Sequence, residues 1–118
     1  MEGQVKTLDQ IRLEPNDRAA IDAAAALLRK HFPVNQVILF GSKARGDDCE
    51  DSDIDLLLLT ARRLSWEEQK QVVPLLSPLQ LEYDVFFGTV EIPEDEWYHG
   101  IYQVLPLRTE VERDGVAA

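Results

Sequence analysis

Residues 38–59 read ILFGSKARGDDCEDSDIDLLLL. Two apolar runs flank a glycine-serine break and an acidic stretch, and the second run opens on paired aspartates. The first run extends back to Val34, and its β-branched and aromatic residues predict a strand over 34–40 that is buried on both faces at its end. The second predicts a strand over 53–59. Side chains alternate along a strand, so Asp53 and Asp55 project to one side and Ile54, Leu56 and Leu58 to the other.

That alternation sets two carboxylates a few residues apart on one face, where they repel unless a cation lies between them. Oxygen ligands presented from a strand and completed by waters and phosphates suit Mg²⁺, with Mn²⁺ as an alternative. The Gly41-Ser42 break supplies the complementary half. Glycine permits a sharp turn and close approach of the backbone to a ligand. Amides at the start of the short helix that Lys43-Ala44-Arg45 predicts, together with the Ser42 hydroxyl, make a phosphate cradle. Lys43 and Arg45 lie within reach of the same anion. Phosphates on one side and metals on the other describe a nucleoside triphosphate site. Taken singly, the aspartates also fit a solvated strand end, and Lys43 and Arg45 also fit surface charges. The conjunction favours the site.

Outward from this stretch, Pro15-Asn16-Asp17 starts a helix whose apolar stripe is Ile21, Ala25, Leu28 and Phe32, stopped by Pro33. Ser65 to Glu68 forms a capping box, and the helix it starts is expected to reach about Leu76, before Ser77-Pro78. LEYDVFF, residues 81–87, reads as a third strand with Asp84 at its middle. A charged residue in a buried strand is costly unless paired or metal-bound, so Asp84 is expected to complete a three-carboxylate site, with a structural ion pair as the alternative. Beyond Pro93, Trp97, Ile101 and Val104 mark one helical face. Pro106 is expected to end that helix and residues 107–112 to add an edge strand. The order is that of a single α/β sandwich spanning residues 1–118.

The chain has 118 residues with 12 Lys plus Arg against 22 Asp plus Glu, a net charge of −10. So acidic a domain lacks the basic surface that neutralises a nucleic-acid backbone, so no long nucleic acid is expected as a partner. A nucleotide remains compatible if metal ions or a local basic cluster offset the field. The one cysteine, Cys49, excludes an internal disulfide and lies between Asp48 and Glu50, which disfavour its thiolate. The start lacks a signal-peptide pattern and no apolar run is long enough to span a bilayer, so the expected setting is the cytoplasm, away from membranes.

Gly41-Ser42, ten intervening residues, then Asp53-Ile54-Asp55 resemble the signature of the DNA polymerase β-like nucleotidyltransferase superfamily. ILFGSKARG and SDIDLLLL resemble its minimal prokaryotic (MNT) members, over about residues 20–90. The resemblance implies an α/β (α+β) fold, a small mixed β-sheet packed by helices. It implies that Asp53 and Asp55 are paired metal ligands and that Asp84 is a third carboxylate, holding the catalytic metal and taking the acceptor hydroxyl's proton. Gly41 and Ser42 would bind the β and γ phosphates. The implied activity transfers a nucleoside monophosphate, AMP from ATP, with release of pyrophosphate. The implied acceptor is a hydroxyl on a co-encoded helical HEPN-type protein, as in toxin–antitoxin pairs. Two other functions fit: a partner-binding antitoxin module without catalysis, and a transferase acting on a small aminoglycoside-like molecule in a homodimer cleft. One departure from the family is the density of acids from Asp47 to Asp55, more than a triphosphate pocket needs.

Overall fold

A run of four leucines, Leu56 to Leu59, lies at the centre of the molecule and is fully buried. Each such side chain contributes about 1.5–3 kcal/mol on burial, enough to fix this strand as the spine of the fold. The structure is a computed structural model that describes residues 6–47 and 52–118. Asp48, Cys49, Glu50 and Asp51, and the readings placed on them, lie outside the described residues. The strands are β1 (Lys6–Thr7), β2 (Val34–Phe40), β3 (Ile54–Thr60), β4 (Phe87–Pro93) and β5 (Val116–Ala117), and the helices are α1 (Pro15–His31), α2 (Ser42–Arg45), α3 (Trp66–Tyr83), α4 (Glu94–His99) and α5 (Pro106–Asp114).

The sheet runs β1-β5-β2-β3-β4. β3 is antiparallel to β2 and parallel to β4, so the sheet is mixed and the α/β expectation is met. Ile54, Leu56 and Leu58 enter a core shared with Ile21, Leu28, Val72 and Leu76 of α1 and α3. Leu57 and Leu59 enter a second core with Ile38, Ile92, Trp97 and Val111, the last two from α4 and α5. The alternation anticipated for β3 therefore puts Asp55 on the α4/α5 side of the sheet.

Four expected elements differ. α3 does not stop near Leu76 but continues through Pro74 and Pro78 to Tyr83. Each proline deletes one helical hydrogen bond, yet both lie exposed while Val72, Leu76 and Leu79 bury the opposite stripe. Packing against α1 outweighs the local cost. The third strand is consequently not residues 81–87 but Phe87–Pro93. The helix after Pro93 breaks at Gly100, and Ile101 and Val104 are exposed in a following 3₁₀ turn, so of the expected stripe only Trp97 is buried. Pro106 opens α5 rather than closing a helix, the first-turn position where a missing N–H costs nothing. The expected edge strand over 107–112 is thus helical.

Candidate functional site

The end of β2, the start of β3 and the start of β4 meet at one edge of the sheet, because Asp55 stands in register with Phe40 on one side and Gly88 on the other. At Gly41 the chain leaves β2 with φ 79° and ψ −159°, a conformation essentially reserved for glycine. A Cβ there would collide with Asp55 Oδ2, and a Cβ at Gly88 would lie 3.0 Å from Asp55 Oδ1. The Asp55 carboxylate is held between two glycine backbones. Larger residues at either position would fill its cradle.

Gly41 caps α2, its carbonyl accepting from the amides of Ala44 and Arg45 at 3.1 Å each. Gly46 ends the same turn in the left-handed conformation, φ 82°. Ser42 follows directly on Gly41, whose backbone lies against the Asp55 carboxylate. Asp53 is exposed just ahead of β3, across the buried Ile54 from Asp55. Burial first, then the negative charges of Asp53 and Glu110, push the Asp55 carboxyl above the ordinary aspartate range, while Arg45 pulls it down. The structure therefore brings together Gly41, Ser42, Arg45, Asp53 and Asp55.

It does not bring in Asp84. The strand that was to carry it is the last turn of α3, and Asp84 caps that helix in the left-handed conformation, φ 53°. It is exposed and lines a 340 Å³ hollow with Ser77, Gln80, Leu81, Val85 and Phe86. α3 packs into the core on the opposite face of the sheet from Asp55, and Asp84 is absent from the charges that act on Asp55. The β4 position beside Asp55 belongs to Gly88, so the strand-register argument for Asp84 as third carboxylate does not hold. Lys43 is likewise turned away from a solvent-facing phosphate position. Its ammonium is buried and donates to Asp17 Oδ2 at 2.9 Å, pinning α2 to α1.

Sequence reasoning missed Glu110 of α5, whose carboxylate Oε2 lies 3.6 Å from Arg45 Nη1. Reading residues 107–112 as an edge strand hid it. Arg108 holds this helix in place: its guanidinium lies 5.3 Å from the Trp97 ring and 5.4 Å from that of Tyr98, and Nη1 donates to the Trp97 carbonyl at 2.6 Å. No signal in the sequence linked Glu110 to residue 45.

Among the described residues no group of three His, Cys, Asp or Glu side chains is disposed to hold a metal ion by itself. Two carboxylates, one of them cradled by glycines, nevertheless fit a hard divalent cation whose remaining ligands are phosphate oxygens and water. The donor set suits a metal that arrives with a nucleotide better than one held alone.

Comparison with known proteins identifies the fold and the family. The family described as "Polymerase beta, Nucleotidyltransferase" matches residues 23–103. A candidate protein adenylyltransferase of Methanocaldococcus jannaschii is 37% identical over 57 residues, covering 48% of this chain and 58% of that protein. The match thus spans less than two thirds of that relative. A second from the same organism is 32% identical over 82 residues, 68% of this chain and 77% of that protein. Among solved structures, a candidate minimal nucleotidyltransferase is 26% identical with a TM-score of 0.59, covering 97% of this chain and 98% of its own. The fold is also shared, at TM-score 0.54 and 19% identity over 85% of this chain and 69% of the other, with a structure of tri-AMPylated Shewanella oneidensis HEPN toxin in complex with MNT antitoxin. Among the described residues, no helix is long and apolar enough to cross a membrane.

Proposed function

This chain belongs to the polymerase β nucleotidyltransferase family as a minimal nucleotidyltransferase domain, and we propose that it moves AMP from ATP onto a hydroxyl of a partner protein. The observation that carries this reading is the Asp55 carboxylate held between Gly41 and Gly88, at the foot of the Gly41-Ser42 turn. In the reaction an acceptor oxygen bonds to the α-phosphorus, the bond from that phosphorus to the bridging oxygen of pyrophosphate breaks, pyrophosphate leaves, and the acceptor's proton passes to solvent water. Asp53 and Asp55 would hold Mg²⁺, or Mn²⁺ in its place, which supplies charge neutralisation at the phosphates. The Gly41-Ser42 turn orients the β and γ phosphates through its amides and hydroxyl, and Arg45 supplies a bidentate guanidinium. Lys43 acts one step back by fixing α2 against α1. Asp84 has no part in this reading.

The relatives named as adenylyltransferases support transfer of AMP to protein, and the fold shared with a toxin–antitoxin complex supports a helical HEPN-type partner. Trp66, Val73 and Leu81 of α3, with Phe86 just beyond it, are large apolar side chains left exposed, as expected of a chain that meets another. A net charge of −10 would steer a basic partner toward it.

The test incubates the wild-type protein with labelled ATP, Mg²⁺ and its co-encoded helical partner. Label on the partner, absent with EDTA, is the expected result. If no partner, small acceptor or the protein itself takes label with Mg²⁺ or Mn²⁺ while the partner is still inhibited stoichiometrically, transfer is wrong and inhibition by contact alone replaces it.

A further inference from the structure

We propose that Glu110 is a positioning residue for nucleotide binding: it holds the Arg45 guanidinium until triphosphate takes its place. The proposal rests on the transferase reading above and adds to it a competitor carried by the chain's own C-terminal helix.

The geometry begins with β3. Alternation puts Asp55 on the α4/α5 face, and α5 lies on that face with Val111 in its core and Arg108 stacked over Trp97 and Tyr98. Glu110, one residue before Val111, is thereby presented toward α2, where its Oε2 approaches Arg45 Nη1 to 3.6 Å. Arg45 Nε meanwhile donates to Asp47 Oδ2 at 3.1 Å. One guanidinium is thus shared by two carboxylates beside the cradled Asp55.

The quality of this pair indicates what it is for. The Lys43–Asp17 pair, two residues away, is short and its side chains are 4% and 13% exposed, as a structural pin should be. Arg45 and Glu110 are 36% and 34% exposed and their contact is long. An exposed pair of this kind contributes little to stability, whereas the five donors of arginine match a phosphate bidentately. A triphosphate arriving at the Gly41-Ser42 turn can therefore displace Glu110 at small cost. Glu110 and Arg45 also act in opposite senses on Asp55, so exchange of partners changes the charge balance of the whole site.

The experiment measures binding of a non-hydrolysable ATP analogue with Mg²⁺, by calorimetry, for the wild type, Glu110→Gln, Arg45→Ala and the double variant. Glu110→Gln should tighten binding by about two- to five-fold, the range expected for releasing an exposed ion pair. The double variant should bind as Arg45→Ala does, because the competitor acts only through the guanidinium. Glutamine suits an exposed helical position, and a far-ultraviolet spectrum and thermal melt confirm the fold of each variant. Unchanged or weaker ATP binding by Glu110→Gln overturns the proposal. So does a gain that survives in the Arg45→Ala background, which would make Glu110 a diffuse source of negative field. If the wild type binds ATP and only these changes fail, the transferase reading stands; if it binds no ATP with or without Mg²⁺, both fall.

Discussion

Asp55 at the start of β3 and Glu68 in the first turn of α3 are carboxylates thirteen residues apart whose surroundings treat them oppositely. Glu68 receives a fork from Arg62, at 2.8 and 2.9 Å, and the Ser65 amide at 2.8 Å. Those bonds, Arg62 foremost, lower its carboxyl to about 2. Asp55 is partly buried and faces Asp53 and Glu110, which together with burial raise it. The signs for stability follow. Glu68 favours the folded state above its ordinary value of 4.5, whereas ionised Asp55 disfavours it, and folding gains as pH falls through the raised value. A chain optimised only for stability would not place a carboxylate where Asp55 stands. Under the proposed reading a cation and phosphates would complete its surroundings, and the unmet charge is what singles out this position.

The largest expected effect breaks this contrast at its functional end. Asp53→Asn/Asp55→Asn should lower transfer by about a hundred-fold or more, the scale of losing a positioned charge at a phosphoryl centre. The same variant should melt at a higher temperature than the wild type in EDTA, since the repulsion and burial of charge are gone. Mg²⁺ with ATP should raise the wild-type melting temperature and leave the variant unmoved. A variant that both keeps transfer and melts lower would make the pair structural.

Next in size is Lys43→Met. It keeps the side-chain volume but leaves Asp17 without its ammonium partner in a poorly hydrated setting, and should destabilise by about 2–3 kcal/mol in urea unfolding. Were Lys43 instead a phosphate ligand, stability would hold and ATP affinity alone would fall.

The two glycines of the turn supply a finer comparison. Gly41 and Gly46 both have positive φ, but a Cβ at 41 meets Asp55 and a Cβ at 46 meets nothing within 4 Å. Gly46→Ala should cost about 1 kcal/mol from backbone strain alone. Gly41→Ala should cost about 2 kcal/mol or more and also weaken ATP binding with Mg²⁺, because the carboxylate must move. Equal losses in both variants would show that Gly41 serves only the turn.

How much of this could be read beforehand varies along the chain. α1, β2, the α2 turn and β3 were legible within a residue or so: proline or glycine bounds the first three, and β3 is an apolar run opened by the Asp-Ile-Asp alternation. The paired aspartates and the Gly41-Ser42 break followed from that. Residues 77–112 were misread for two physical reasons: Pro78 and Pro106 were taken as stops, and the break at Gly100 was not anticipated. At Pro74 and Pro78 the buried stripe of α3 overrode local chemistry, and at Pro106 the ring occupies a first turn that welcomes it. Asp84 moved from strand to helix cap as a result, and Glu110 from edge strand to the site. Gly88 could not be recognised as the neighbour of Asp55 until the register of β4 was known.

The smallest expected effect lies at the other end of the contrast. Glu68→Gln can still accept the Ser65 amide through its side-chain oxygen, so the capping box survives, but the charged fork to Arg62 is lost. Glu68 is folded with a carboxyl at about 2 against an ordinary 4.5. Its contribution is therefore complete above 4.5, fades between 4.5 and about 2, and is gone below that. Urea unfolding of wild type and variant should show a small, constant gap at neutral pH that narrows through this window and closes at its acid end. Added salt should shrink the gap at neutral pH, since the pair is open to solvent. A gap that persisted at the acid end would place the stabilisation in the cap's geometry rather than in the charge.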